Sequence, residues 1–180
     1  MLLDAQRSCL LVVDVQEILV PAMADGGRVI KGAALLMGAA NRLGIPVVVS
    51  EQYPKGLGPT VAELRALAPD GAALDKVHFS CAADPGIKAR LDQLARPQVV
   101  IVGIEAHVCV LQTAMQLLAE GREVFVVADA TSSRTEANHA LAMNRLAAAG
   151  AGIVAVEMVV FEWLQRAGTP EFKELSKLVK

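Results

Sequence analysis

Apolar and polar positions along the chain fall into two alternating kinds of segment. Short runs rich in β-branched residues occupy 9–13, 46–50, 75–78, 99–104, 123–128 and 152–156, and their near-continuous apolar character predicts strands covered on both faces. Between them, 28–43, 60–67, 85–94, 107–120 and 134–149 carry apolar residues at helical spacing, which predicts amphipathic helices. The punctuation agrees. Gly44, Gly121 and Gly150 follow helices, Asp84 and Pro85 form an N-cap and N1 pair, and Thr60 with Glu63 and Ser133 with Glu136 read as capping boxes.

Strands alternating with crossover helices predict an α/β, three-layer αβα Rossmann-like fold around a mostly parallel sheet of about six strands. No linker or repeat interrupts the 180 residues, so one domain over 1–180 is expected. Hydrophobic residues make up 54% and charged residues 20% of the chain, which selects a globular class over a disordered one. A net charge of −2 without any Lys/Arg run offers no general attraction to nucleic acid or an anionic membrane. No segment has the length of a membrane-spanning helix, and the apolar run at 10–13 is too short for a secretory signal. Cys9, Cys81 and Cys109 are odd in number and lack CxxC spacing, so neither a disulfide framework nor a zinc cluster is expected, and a reducing cytoplasm is the default. The loop after the first strand, DVQEILVP, lacks the glycines that admit a pyrophosphate, and no GxxxxGK[ST] occurs, so no nucleotide cofactor is expected.

Candidate chemistry gathers where strands end, because open parallel sheets bind ligands beyond their carboxyl ends. Asp14 closes CLLVVD, Lys76 lies in LDKVHFS, and Cys109 follows the strand VVIVG where a helix begins. Locally each has an ordinary reading: a turn carboxylate, a solvated ammonium and a buried structural thiol. Together they read as a general base, a supporting cation and a nucleophile. A helix N-terminus and a nearby ammonium would lower the thiol pKa and populate the thiolate.

The segments LLVVDVQ, DKVHFS and VIVGIEAHVCV, in this order, resemble the isochorismatase-like cysteine hydrolase superfamily. VVSEQYPKGLGPTVAEL, VADATSSRTEANHALAMNRL and PEFKELSKLVK look like its isochorismatase domain-containing protein branch, so the likeness spans nearly the whole chain. The resemblance implies an Asp14, Lys76 and Cys109 triad in which Cys109 attacks a carbonyl, Asp14 shuttles protons and an acyl-enzyme is released by water. It also implies a non-proline cis peptide between Ile104 and Glu105, with backbone N–H groups from Ala106 to Cys109 turned towards an oxyanion. Nicotinamidases of this superfamily hold a metal through histidines after the second strand. Here Ser50, Glu51, Gln52, Tyr53 and Pro54 stand at that place, His78, His107 and His139 are dispersed, and no metal is expected.

Pocket residues are inferred from nearness to strand ends. Gln16 could present an amide to the substrate, Tyr53 and Phe79 could form apolar walls, and His107 could line the entrance, with a turn amide, core packing and a subunit contact as their respective alternatives. The expected activity is hydrolysis of a small amide or ester, carbon–nitrogen cleavage first. Vinyl ether hydrolysis of the isochorismate type and a non-catalytic oligomeric scaffold are the alternatives. The partners expected are a small-molecule substrate and further copies of the chain, onto which Phe161, Trp163 and Phe172 could pack a terminal helix.

Overall fold

Residues 1–179 are described by a computed structural model. The first strand, β1 (Ser8–Val13), leads through a 3₁₀ turn into α1 (Gly26–Leu43), capped by Asp25 and closed by Gly44 in the left-handed conformation. β2 (Val47–Gln52) is followed by the short helices α2 (Pro54–Leu57) and α3 (Ala62–Arg65), then β3 (Ala73–Lys76), α4 (Pro85–Leu94) and β4 (Gln98–Gly103). A π-helical turn (Ala106–Val110) runs into α5 (Leu111–Ala119). β5 (Glu123–Thr131), α6 (Glu136–Ala148), β6 (Gly152–Val154), α7 (Val156–Leu164) and α8 (Pro170–Leu175) complete the chain.

The six strands form one sheet in the order β3-β2-β1-β4-β5-β6, and every pairing is parallel. Alternation of side chains along each strand feeds two cores. Leu10, Val12, Val49, Val100 and Val102 pack with α1 and α7 on one face, whereas Leu11, Val13, Val48, Val99 and Ile101 pack with α4, α5 and α6 on the other. The predicted three-layer architecture and parallel sheet are therefore present.

The differences are local and share a physical cause. The capping box expected at Thr60 does not form, because its hydroxyl and N–H both donate to Glu51 Oε1 at 2.7 Å, and helix begins only at Ala62. Thr135, not Ser133, caps α6, since the Ser133 hydroxyl pairs with His107 Nδ1 at 2.9 Å. β3 ends at Lys76 rather than 78, with the backbone carbonyls of His78 and Phe79 turned towards the Lys76 ammonium. The predicted strand 152–156 stops at Val154, and Val156 already belongs to α7. The carboxyl-terminal aromatics pack within the chain: Trp163 Nε1 donates to Ser8 Oγ at 3.0 Å, and the Phe161 and Phe172 rings lie 6.3 Å apart.

Candidate functional site

The strand order reverses direction between β1 and β4, and at such a switch point the connections leave towards opposite faces and open a crevice. The sheet register sets the side chains there. Val13 pairs with Ser50 on one side and with Gly103 on the other, and Gln52 pairs with Lys76. Residues just past β1, along β2, at the end of β3 and beyond β4 thus meet at one edge.

Asp14 turns its carboxylate into this edge by adopting φ 52°, a left-handed conformation that aspartate tolerates better than most residues. The carboxylate is fully buried and held on both oxygens: Ser50 Oγ donates to Oδ1 at 2.7 Å and Lys76 Nζ donates to Oδ2 at 2.7 Å. Lys76 Nζ is also turned to Gln52 Oε1 at 2.6 Å, Phe79 O at 3.1 Å and His78 O at 3.2 Å. Four acceptors saturate an ammonium that has three protons to donate. The Cys109 thiol, in the π-helical turn, is almost fully buried, and the Asp14 charge acts on it.

Electrostatics here differ from the sequence expectation of a thiolate stabilised by a helix terminus. Burial foremost, then the charge of Asp14, push the Cys109 thiol well above the ordinary range, and Lys76 only partly opposes them. Burial also raises Asp14 above the usual carboxylate range against the pull of Lys76 and Ser50. The pair is a thiol held towards its neutral form beside a desolvated carboxyl of raised proton affinity, an arrangement suited to general-base removal of the proton during attack. Cys81, whose backbone N–H donates to Thr113 Oγ1 at 2.9 Å, is pushed up to about 11, chiefly by burial.

The peptide between Ile104 and Glu105 is cis. Ile104 N–H and Ala106 N–H are already committed, to Val13 O at 2.8 Å and to Ser132 O at 2.7 Å, which removes Ala106 as an oxyanion donor. Val108 and Val110 N–H converge on Glu105 O. The Glu105 carboxylate grips Arg134 through two 2.9 Å bonds.

The remaining predicted residues divide. Gln16 does not face a substrate: its amide is consumed by Gln52 O, Gly58 O and Gln52 N, lacing the loops after β1 and β2 together. His107 Nδ1 pairs with the Ser133 hydroxyl and Nε2 lies 3.8 Å from Glu105, so the ring braces the turn. Tyr53 and Phe79 are both 55% exposed at the rim, not packed in the core. Tyr53 lines a cleft of about 330 Å³ together with Lys55, Asp75, Val77 and Asp84. Sequence reading missed Ser50 and Gln52, although one signal was present: a serine ending the buried run VVVS has no reason to be there unless its hydroxyl finds a buried partner. Glu51, the oxygen donor nearest the position where nicotinamidases bind metal, is occupied by Thr60.

A family model described as the isochorismatase domain matches residues 8–158. The chain is 42% identical over 178 residues to the secreted isochorismatase effector Isc1 of Phytophthora sojae, covering 96% of this chain and 84% of that one. It is 40% identical over 180 residues to isochorismatase domain-containing protein 2 of Danio rerio, covering 98% and 89%. Among solved structures, the MAR1 ribonuclease from Caenorhabditis elegans superimposes with a TM-score of 0.93 at 37% identity, over 99% of this chain and 92% of that one. Agreement of this extent in sequence, added to the parallel sheet and its strand order, establishes that the chain belongs to the isochorismatase family.

Proposed function

We propose that the protein is a cysteine-dependent hydrolase cleaving a small amide or ester through an acyl-enzyme on Cys109. The observation that carries this reading is the buried Asp14 carboxylate, anchored by Lys76 and Ser50, whose charge acts on the buried Cys109 thiol. A scaffold has no use for a desolvated ion pair beside a thiol, since burying two charges costs several kcal/mol per ion before their attraction is counted.

In the first step Cys109 Sγ bonds to the carbonyl carbon while Asp14 takes the thiol proton. The oxyanion is met by N–H groups of the π-helical turn, those of His107 and Cys109. Collapse breaks the bond to the leaving amine or alcohol, which departs with the proton from Asp14. Water then adds to the thioester, giving its proton to Asp14, and release of the acid restores the thiol. Lys76 keeps Asp14 in place and touches no substrate atom, because its acceptors are already protein groups. The raised proton affinity of Asp14 makes it the stronger base, and the raised affinity of Cys109 disfavours a preformed thiolate, so the proton is taken during attack.

The reading is tested by intact-mass spectrometry after exposure to activated esters and simple amides. An acyl adduct that forms on the wild type and not on Cys109→Ser supports it; equal labelling of both defeats it. Isochorismate and RNA belong in the same assay, because the family name and the name of the C. elegans relative point to them. Cleavage of either that survives Cys109→Ser would move the reaction away from the thiol. Three free, buried cysteines fit a reducing compartment. No helix among the described residues is long and apolar enough to cross a membrane. Association with further copies of the chain, expected from the sequence, would be measured by light scattering.

A further inference from the structure

We infer that Ser50 is a positioning residue of the proposed reaction: its buried hydroxyl holds the Asp14 carboxylate in the orientation and the ionised form that can accept the thiol proton, and so sets the lower pH limit of turnover. This rests on the hydrolase reading above and names how that same site is tuned. Ser50 ends the fully buried part of β2, after Val47, Val48 and Val49. A hydroxyl there costs free energy unless it is bonded. The strand register pairs Ser50 with Val13, the residue before Asp14, and Ser50 takes Asp14 at two points. Asp14 N–H donates to Ser50 O at 3.1 Å, and Ser50 Oγ donates to Asp14 Oδ1 at 2.7 Å. The first contact carries the parallel ladder one residue past β1, where Asp14 turns to φ 52°, and the second fixes the side chain.

The hydroxyl and the ammonium act differently on the same carboxylate. Lys76 Nζ holds Oδ2 at 2.7 Å, and its charge acts on Cys109 as well as on Asp14. Removing Lys76 therefore disturbs nucleophile and base together. Ser50 carries no charge and donates to the other oxygen. A donor aimed at a carboxylate stabilises the ionised form, against the burial that favours the neutral one. The other titratable groups that interact with Asp14 in this crevice are Cys109 in the π-helical turn and Cys81 in the segment before α4. Burial holds both thiols towards their neutral forms, which leaves the ionisation of Asp14 chiefly to Lys76 and Ser50. Asp14 must be ionised to take a proton. Loss of the Ser50 donor raises its proton affinity, and the acid limb of kcat/KM, which reports groups of the free enzyme, moves to higher pH.

The test follows Cys109-dependent hydrolysis of p-nitrophenyl acetate across pH, with Cys109→Ser as the blank. In Ser50→Ala the acid limb of kcat/KM should move up by about one pH unit, a loss of roughly tenfold below the limb that narrows above it. Ser50→Thr keeps the hydroxyl and should keep the wild-type limb. Alkylation of Cys109 above the limb should be the same in Ser50→Ala as in wild type, because Asp14 is ionised in both and the charge beside the thiol is unchanged. A merely structural defect would instead lower turnover by one factor at every pH. Where Ser50→Ala shows no turnover, a carbon NMR titration of the Asp14 carboxyl, assigned by its absence from Asp14→Asn, replaces the rate: a midpoint moved to higher pH supports the inference. A limb or midpoint that coincides with that of wild type overturns it and leaves the hydrolase reading standing. Hydrolysis by wild type indistinguishable from that of Cys109→Ser overturns the two together.

Discussion

Asp14 controls the proton affinity of Cys109 in a direction opposite to its role in turnover. Its negative charge helps to keep the thiol protonated, yet in the proposed reaction the same carboxylate receives the proton. Alkylation of wild-type Cys109 should therefore keep accelerating with pH through the ordinary thiol range without levelling off. Asp14→Asn removes the charge and leaves Lys76, so its alkylation profile should shift to lower pH while hydrolysis is lost. Lys76→Met should shift the profile to higher pH. Intact-mass labelling across pH measures all three, and a profile in Asp14→Asn at or above that of wild type would contradict the assigned cause. Gly103 sets another residue-scale constraint. Its φ is 117°, and a Cβ there would run into the Val13 backbone, across the seam where β1 meets β4. Gly103→Ala should cost about 3 kcal/mol in urea unfolding. Asp14, Lys76 and Cys109 were legible in the sequence as candidates because each closes or follows a recognisable apolar run. Ser50 and Gln52 were not, because nothing within β2 itself says that a hydroxyl and an amide there face a carboxylate and an ammonium 36 and 24 residues away.

At the scale of elements, periodicity located the strands and helices, and tertiary partners decided their ends. Asp84 caps α4 as its sequence predicts, accepting from Gly86 and Ile87 with Pro85 at the first position. α6 shows how such a prediction fails. Both Ser133 and Thr135 can cap, but Ser133 is drawn to His107 and the helix starts two residues later than the box implies. Thr135→Ala should accordingly lower stability by about 1 kcal/mol in thermal or urea melts, while Glu136→Ala should leave it nearly unchanged because no box exists to break. The opening of the helix after β4 as a π-helical turn is likewise a tertiary outcome. Ser132 O and Glu105 O take the N–H groups of Ala106, Val108 and Val110, and that division of donors is invisible in a pattern of apolar positions.

Across the whole molecule, the site is a cost that the rest of the fold carries. The Asp14 and Lys76 side chains are wholly buried, and the two cores on either face of the sheet supply the stability that tolerates them. Lys76→Met alone should lose about 3–5 kcal/mol by stranding the carboxylate. The double variant Asp14→Asn with Lys76→Met should unfold at or above the wild-type temperature, since neutral groups of similar volume replace a desolvated pair; a double variant as unstable as the single one would show that the pair stabilises the fold. What the sequence by itself determined was the alternation of strand and helix, hence the layered parallel fold, and the identity of the three side chains that end at its carboxyl edge. Both follow from local composition, because burial on two faces and helical spacing are written within ten to twenty consecutive residues. Only the tertiary structure decided that Lys76 is saturated, that Gln16 binds loops together, that the thiol rests protonated and that Tyr53 and Phe79 stand in solvent. Each of these depends on groups from different strands meeting in a low-dielectric crevice, where desolvation and long-range hydrogen bonds outweigh any local preference.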